Sequence, residues 1–163
     1  MDTLNLYAHA IAIEREAVER YSEFAERMDD LGNEAAAEIF ATLARLEVEH
    51  LGELVARTAG AKLPKLAPHE YAWLDNAAPE TAARELVFRL MTPRQALEIA
   101  LAGEKRAFAF FEGAMLGAAD PMVRTLAREL AADEADHIMM LEKLLERTPP
   151  VVDWASVYDK EEA

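Results

Sequence analysis

Apolar residues recur along this chain every three or four positions in four long stretches, with polar residues filling the gaps. In the first stretch Tyr7, Ala10, Ile11, Ala17, Val18, Tyr21, Phe24 and Met28 form one stripe. It predicts a helix from about Thr3 to Met28, closed by the turn "DDLGN". Asn33 is placed to cap a second helix that runs to about Thr58 and stops at Gly60. Past a connector containing prolines, Thr92, Pro93 and Gln95 supply an N-cap, a first-turn proline and a capping-box partner for a third helix ending near Gly117. Asp120 and Pro121 repeat the start signal, and the fourth helix continues to about Arg147, where "TPP" ends it. Strand signals are almost absent.

Two helical hairpins with short turns, joined by a long crossover at about residues 60–92, describe an all-α four-helix bundle. The crossover has to travel the length of a helix, roughly 40 Å, so the second and third helices are expected to run parallel. Within it "PETAARELVFRLM" predicts a short helix. The bundle is expected to occupy residues 1–148. Residues 149–163 then form a C-terminal tail, apolar at first and acidic at its end, folded back on the bundle or on a neighbouring subunit.

Six polar residues interrupt the apolar stripes. Heptad steps along the first helix run Tyr7, Glu14, Tyr21 and Met28, so Glu14 takes a core position. The second helix gives Phe40, Leu43, Glu47, His50 and Leu54, and the third Leu97, Leu101, Glu104, Phe108 and Phe111. The fourth gives Val123, Leu130, Glu134, His137 and Leu141. Residues equally distant from a hairpin turn lie at one height. The midpoint of positions 14 and 47 falls inside "DDLGN", and that of positions 104 and 134 inside "GAADP". Each hairpin therefore sets its carboxylates level, about 23 Å from its turn. The halves also match each other: "IEREAVERYSEFA" aligns with "GEKRAFAFFEGAM" and "LEVEHLGEL" with "ADEADHIMML", at nearly equal offsets, which implies an internal duplication.

Composition narrows the chemistry. At 163 residues the chain fits one domain. The absence of cysteine excludes disulfides, thiolate metal sites and iron–sulfur clusters, so any metal must be held by oxygen and nitrogen. A formal net charge of -14 with scattered basic residues argues against nucleic acid as a partner. No apolar run is long enough for a membrane span and the N-terminal stretch is acidic, so a cytoplasmic protein is expected. Four buried glutamates left bare would each cost several kcal/mol. Two divalent ions would neutralise all four, with two neutral imidazoles completing the set; in the metal-free alternative, arginines such as Arg45, Arg106 or Arg128 do so.

One glutamate from each of two helices, plus Glu-x-x-His from each of the other two, is a carboxylate-bridged dinuclear ligand set. On these residues, with Tyr21 seven positions after Glu14, the chain resembles the rubrerythrin branch of the ferritin-like family over residues 3–147. The resemblance implies two iron ions, with manganese or zinc also suited to the donors. It makes Glu47 and Glu134 bridging ligands, Glu14 and Glu104 terminal ones, and gives each ion one of His50 and His137. Three features depart from the family: no cysteines for a rubredoxin-like domain, Ala107 where the family has a further glutamate, and Phe111 where Tyr21 stands in the first half. Tyr21 is the one catalytic candidate outside the ligand set. It lies roughly 10 Å from Glu14, and it either hydrogen-bonds a carboxylate on a facing helix or is an ordinary core tyrosine.

The implied function is an oxidoreductase that reduces peroxide or dioxygen with electrons from an external donor protein, in a homodimer. The rivals are a ferroxidase that handles iron and a non-enzymatic helical metal-binding adaptor. His9 and His69 read as incidental, Met139 and Met140 as core or interface, and Trp73 and Trp154 as anchors for irregular segments.

Overall fold

Short-range chemistry sets the start of every helix among the described residues. In the computed structural model, which describes residues 1–67, 90–148 and 150, α1 (Thr3–Asp30) starts at Asp2, whose carboxylate accepts from the Asn5 N–H at 2.8 Å. It runs two residues past the expected Met28. Gly32, at φ +73°, takes the left-handed conformation that closes it. The Gly32 N–H then bonds the Asp29 carbonyl and the Asn33 N–H the Met28 carbonyl, each at 2.8 Å, the paired bonds of a Schellman turn. Asn33 next caps α2 (Glu34–Arg57), accepting from the Ala36 N–H at 3.3 Å, while its side-chain amide donates to the Met91 carbonyl. One residue thus ends a helix, starts a helix and ties down the approach to the second hairpin.

The capping box expected at Thr92 and Gln95 opens α3 (Pro93–Gly117), and Asp120 with Pro121 opens α4 (Pro121–Arg147). Arg94 donates to the carbonyls of Leu145 and Thr148, so the start of α3 satisfies the carbonyl-rich end of α4. Helices α1 and α2 pair as one hairpin and α3 and α4 as the other. Across the seam between hairpins α1 approaches α4 and α2 approaches α3. Among the described residues there is no strand, and no helix is long and apolar enough to cross a membrane. Apart from Leu90, Met91 and Pro150, the short helix and the tail expected from the sequence, with His69, Trp73 and Trp154, lie outside the described residues.

The core is split in two. One apolar cluster holds Tyr21, Met28, Ala36, Phe40, Leu43, Leu97 and Leu141. The other holds Leu6, Ile11, Leu54, Phe111, Val123, Leu126 and Leu130. Read along the chain, α2 and α3 both pass from the first cluster to the second, whereas α1 and α4 pass the other way. The two middle helices are therefore parallel, as the length of the crossover requires. Between the clusters lies the layer that contains the glutamates.

Candidate metal centre

Glu14, Glu47, Glu104 and Glu134 are 5%, 2%, 5% and 4% exposed, so all four carboxylates are out of water. His137 is buried and His50 half-buried, so one member of the set reaches toward the surface. Arg45, Arg106 and Arg128, the arginines that could have neutralised the layer, are all exposed, and Arg45 bonds the Thr42 hydroxyl instead. The glutamates are held by one another and by His137. Glu14 and Glu47 share a hydrogen bond across the first hairpin, as do Glu104 and Glu134 across the second. The levels expected from the two turns are those observed.

Contacts across the seam join the hairpins into one site. The Tyr21 hydroxyl of α1 donates to Glu104 Oε1 of α3 at 2.8 Å. His137 Nδ1 lies 3.2 Å from Glu104 Oε2, 3.6 Å from Glu47 Oε1 and 3.8 Å from Glu134 Oε2. The rings of His50 and His137 stack with centroids 4.5 Å apart. Tyr21 is thus the hydrogen-bond partner of a carboxylate on a facing helix, which decides between the two readings its position allowed. At the backbone level α1 meets α4 and α2 meets α3; the polar contacts instead link α1 to α3 and α2 to α4, pairings that long side chains can span.

The protonation pattern follows from this packing. Burial pushes Glu47 up to about 12, helped by its hydrogen bond to Glu14 and the surrounding carboxylates. Burial also raises Glu14, and with the charges of Glu14 and Glu104 it holds Glu134 well above the ordinary carboxylate range. Glu104 goes the other way: burial works to raise it, but hydrogen bonds from His137, Glu134 and Tyr21 outweigh burial and hold it low. Burial works to lower His137, and its contact with Glu104 reverses that. Tyr21 is held well above the usual phenol value by burial and the carboxylates around it, so it stays a donor. Without metal, Glu104 is thus held low beside a His137 held above its ordinary range, and no buried side-chain polar atom among the described residues lacks a partner.

Two groups of donors lie close enough for a common ion: Glu47, His50 and His137, and Glu104, Glu134 and His137, each with its atoms within 4.8 Å. Their hard oxygen and imidazole donors suit a divalent transition metal. Two openings reach this layer. One, of about 20 Å³ between α1 and α3, is lined by Ile13, Ala17, Tyr21, Gly103 and Ala107 as well as the glutamates. The other, of about 70 Å³, lies between α2 and α4 and exposes Glu14, His50 and Glu134. A roomier cavity of about 400 Å³ between α1 and residues 63–66 touches none of the six residues.

The rubrerythrin family model matches residues 5–82. The crystal structure of an uncharacterized conserved protein from Magnetospirillum magnetotacticum MS-1 is 35% identical and superposes with a TM-score of 0.76, over 92% of this chain and 97% of that one. This chain belongs to the rubrerythrin family. No curated protein matches it. Membership suggests a di-iron protein, and the glutamate and histidine groups of this rubrerythrin-family chain are able to bind metal. No rubredoxin domain is evident in it, and it contains no cysteine.

Sequence reasoning missed two buried polar residues. His9, read as incidental, is buried, holds its Nδ1 2.8 Å from the Asn5 carbonyl and stacks on Phe110. Glu16 is buried beside the site and paired with Arg20 at 3.2 Å. The i, i+4 spacing of Glu16 and Arg20 was the available signal for that pair. Met140 packs on the first cluster while Met139 is exposed.

Proposed function

We propose that Glu14, Glu47, His50, Glu104, Glu134 and His137 hold two iron ions, and that the centre reduces hydrogen peroxide or dioxygen with electrons from a separate donor protein. The observation that carries this reading is the single layer of four buried carboxylates, whose charge two divalent cations would balance. The donors would accept manganese or zinc, and membership of the rubrerythrin family favours iron. Bound iron would supply the paired one-electron changes that break an O–O bond.

In this reading Glu47 and Glu134 would be shared between the two ions, Glu14 and Glu104 would each serve one, and His50 and His137 would provide one nitrogen apiece. Glu47 and Glu134 are also the two residues that donate a proton to a neighbouring carboxylate in the metal-free layer. Taking up ions would require those protons to leave. Loading therefore releases protons and tightens as pH rises. Tyr21 acts as a positioning residue: its hydroxyl fixes Glu104 Oε1 and leaves Oε2 facing His137. The small, mostly apolar opening between α1 and α3 has room for about one water-sized molecule, which fits peroxide or dioxygen.

Reduction of one peroxide consumes two electrons and two protons and yields two waters. The chain has no cysteine to ligate an electron-transfer iron centre of its own, so an external donor supplies the electrons. The reading includes a cytoplasmic homodimer, and a solution mass near twice 18.1 kDa would support that assembly. The decisive experiment loads ferrous iron anaerobically and mixes in peroxide by stopped flow. Rapid oxidation at one peroxide per two irons, reversed by added reductant, supports the proposal, and oxidation no faster than that of free ferrous iron overturns it. Ferric iron accumulating beyond two per chain would favour iron handling, and substoichiometric metal a structural adaptor.

A further inference from the structure

The two openings onto the carboxylate layer differ in chemistry. The one between α1 and α3 is small and exposes mainly apolar surface, from Ile13, Ala17, Gly103 and Ala107, although Glu16 and Arg106 also line it. The one between α2 and α4 is more than three times as large and exposes more polar surface than apolar. At its mouth stand exposed Glu53 and Asp133, its sides are the buried Leu54 and Leu130, and its floor is Glu14, Glu134 and the half-buried His50. These residues follow from helix geometry: His50, Glu53 and Leu54 share one face of α2, and Leu130, Asp133 and Glu134 one face of α4.

A divalent cation sheds its water reluctantly and gives it up stepwise to oxygen donors, so it needs a wet, acidic approach rather than an apolar slot. The opening of about 70 Å³ has room for several waters. Among the described residues that line it, the one arginine or lysine, Arg57, lies 3.5 Å from Glu129 on α4. Glu53 and Asp133 are exposed and line the cleft whose floor is the buried Glu14 and Glu134, so they are placed to guide an ion inward.

We infer that the cleft between α2 and α4, with Glu53 and Asp133 at its mouth, is the port through which divalent metal reaches the centre, separate from the apolar opening that admits the oxidant. This rests on the metal-centre reading above. The port acts on rates: two carboxylates at the mouth raise the local concentration of cations and the speed of capture, with little effect on affinity at the floor.

The test follows binding of cobalt(II) to the metal-free full-length chain by stopped-flow visible absorption at low ionic strength. Glu53→Gln combined with Asp133→Asn removes the charge without changing shape, and Glu26→Gln combined with Glu38→Gln removes two exposed charges elsewhere. Expected are association slowed about tenfold in the first pair with equilibrium affinity within about twofold, and near-normal association in the second. Because the chain has no cysteine, Glu53→Cys carrying a bulky maleimide provides a plug, with labelled Arg106→Cys at the other opening as its counterpart. The plug should slow loading at Glu53 and leave it unchanged at Arg106. Cobalt that binds to every variant at the wild-type rate overturns the port and leaves the metal centre standing. Cobalt that does not bind the wild type overturns both.

Discussion

In the first hairpin Glu14 takes a hydrogen bond from Glu47 and is raised by burial, whereas in the second Glu104 takes bonds from Tyr21, His137 and Glu134 and is held low. The two glutamates occupy matching places in a duplicated sequence. Their difference comes from one substitution in the repeat and from the unequal burial of its two histidines. Tyr21 sends its hydroxyl across the seam to Glu104, and Phe111, its counterpart in the second half, has no hydroxyl to send back to Glu14. His137 is buried and touches three carboxylates, while His50 stands half-exposed at the floor of the cleft. A sequence repeat preserves ligand identity and position. It does not preserve ligand environment, which is set by whichever residues cross from the other half.

The largest test of that asymmetry is removal of each imidazole. His137 belongs to both donor groups and His50 to one, so His137→Ala should lower metal affinity by about 100-fold or more and His50→Ala by about tenfold. Competition titration with a chromophoric chelator measures both, and equal losses would show that the halves are equivalent. Next in size is Tyr21→Phe, which strips the 2.8 Å bond from Glu104. Hydrogen bonds to charged groups are worth about 1.5–3 kcal/mol, and supporting residues of this kind about tenfold in metal affinity. The loss should fall on one of two binding steps in a calorimetric titration; a uniform loss would point to general loosening instead.

The pH dependence of stability is smaller and has a definite sign. Glu14, Glu47 and Glu134 have folded values raised above 4.5, and His137 one raised above 6.5. The folded state therefore holds more protons than the unfolded chain, and stability from these groups is lost as pH rises from those values toward the folded ones. Glu104 acts oppositely, but its contribution is lost only as pH falls below the ordinary carboxylate range. The metal-free protein should melt several degrees lower at about pH 8.5 than at about pH 6, and the metal-loaded protein should not, because its carboxylates are already ionised. Calorimetric melts of both forms across that range make the check. The smallest effect belongs to Phe111→Tyr, which returns the missing hydroxyl to a fully buried position. A bond to Glu14 would raise stability by about 1 kcal/mol and draw the two metal affinities together. A loss of about 1–3 kcal/mol with affinities unchanged would mean the hydroxyl finds no acceptor and the mirror fails.

The fold was legible because its determinants are local. Asn33, Thr92 with Gln95, and Asp120 with Pro121 act within a few residues, and each forms the cap its position foretells. The heights of Glu14 and Glu47, and of Glu104 and Glu134, were legible for a related reason: a tight turn and a constant rise per residue turn chain distance into position along the bundle. The split of the core into two apolar clusters was implicit in the same stripes, since the glutamates interrupt all four helices at one level.

What only the tertiary structure decided lies across the seam between hairpins. The bond from Tyr21 to Glu104 joins residues 83 apart, and no periodicity within one helix specifies the rotation of another. The same holds for the burial of His137 against the exposure of His50, the stacking of His9 on Phe110, and the cleft that sets Glu53 beside Asp133. The sequence by itself determined which side chains face inward and at what height, because both follow from helix geometry and turn length. Which of those side chains touch, and so which carboxylate keeps its charge, was decided by how two hairpins pack, a long-range arrangement that depends on every contact at once.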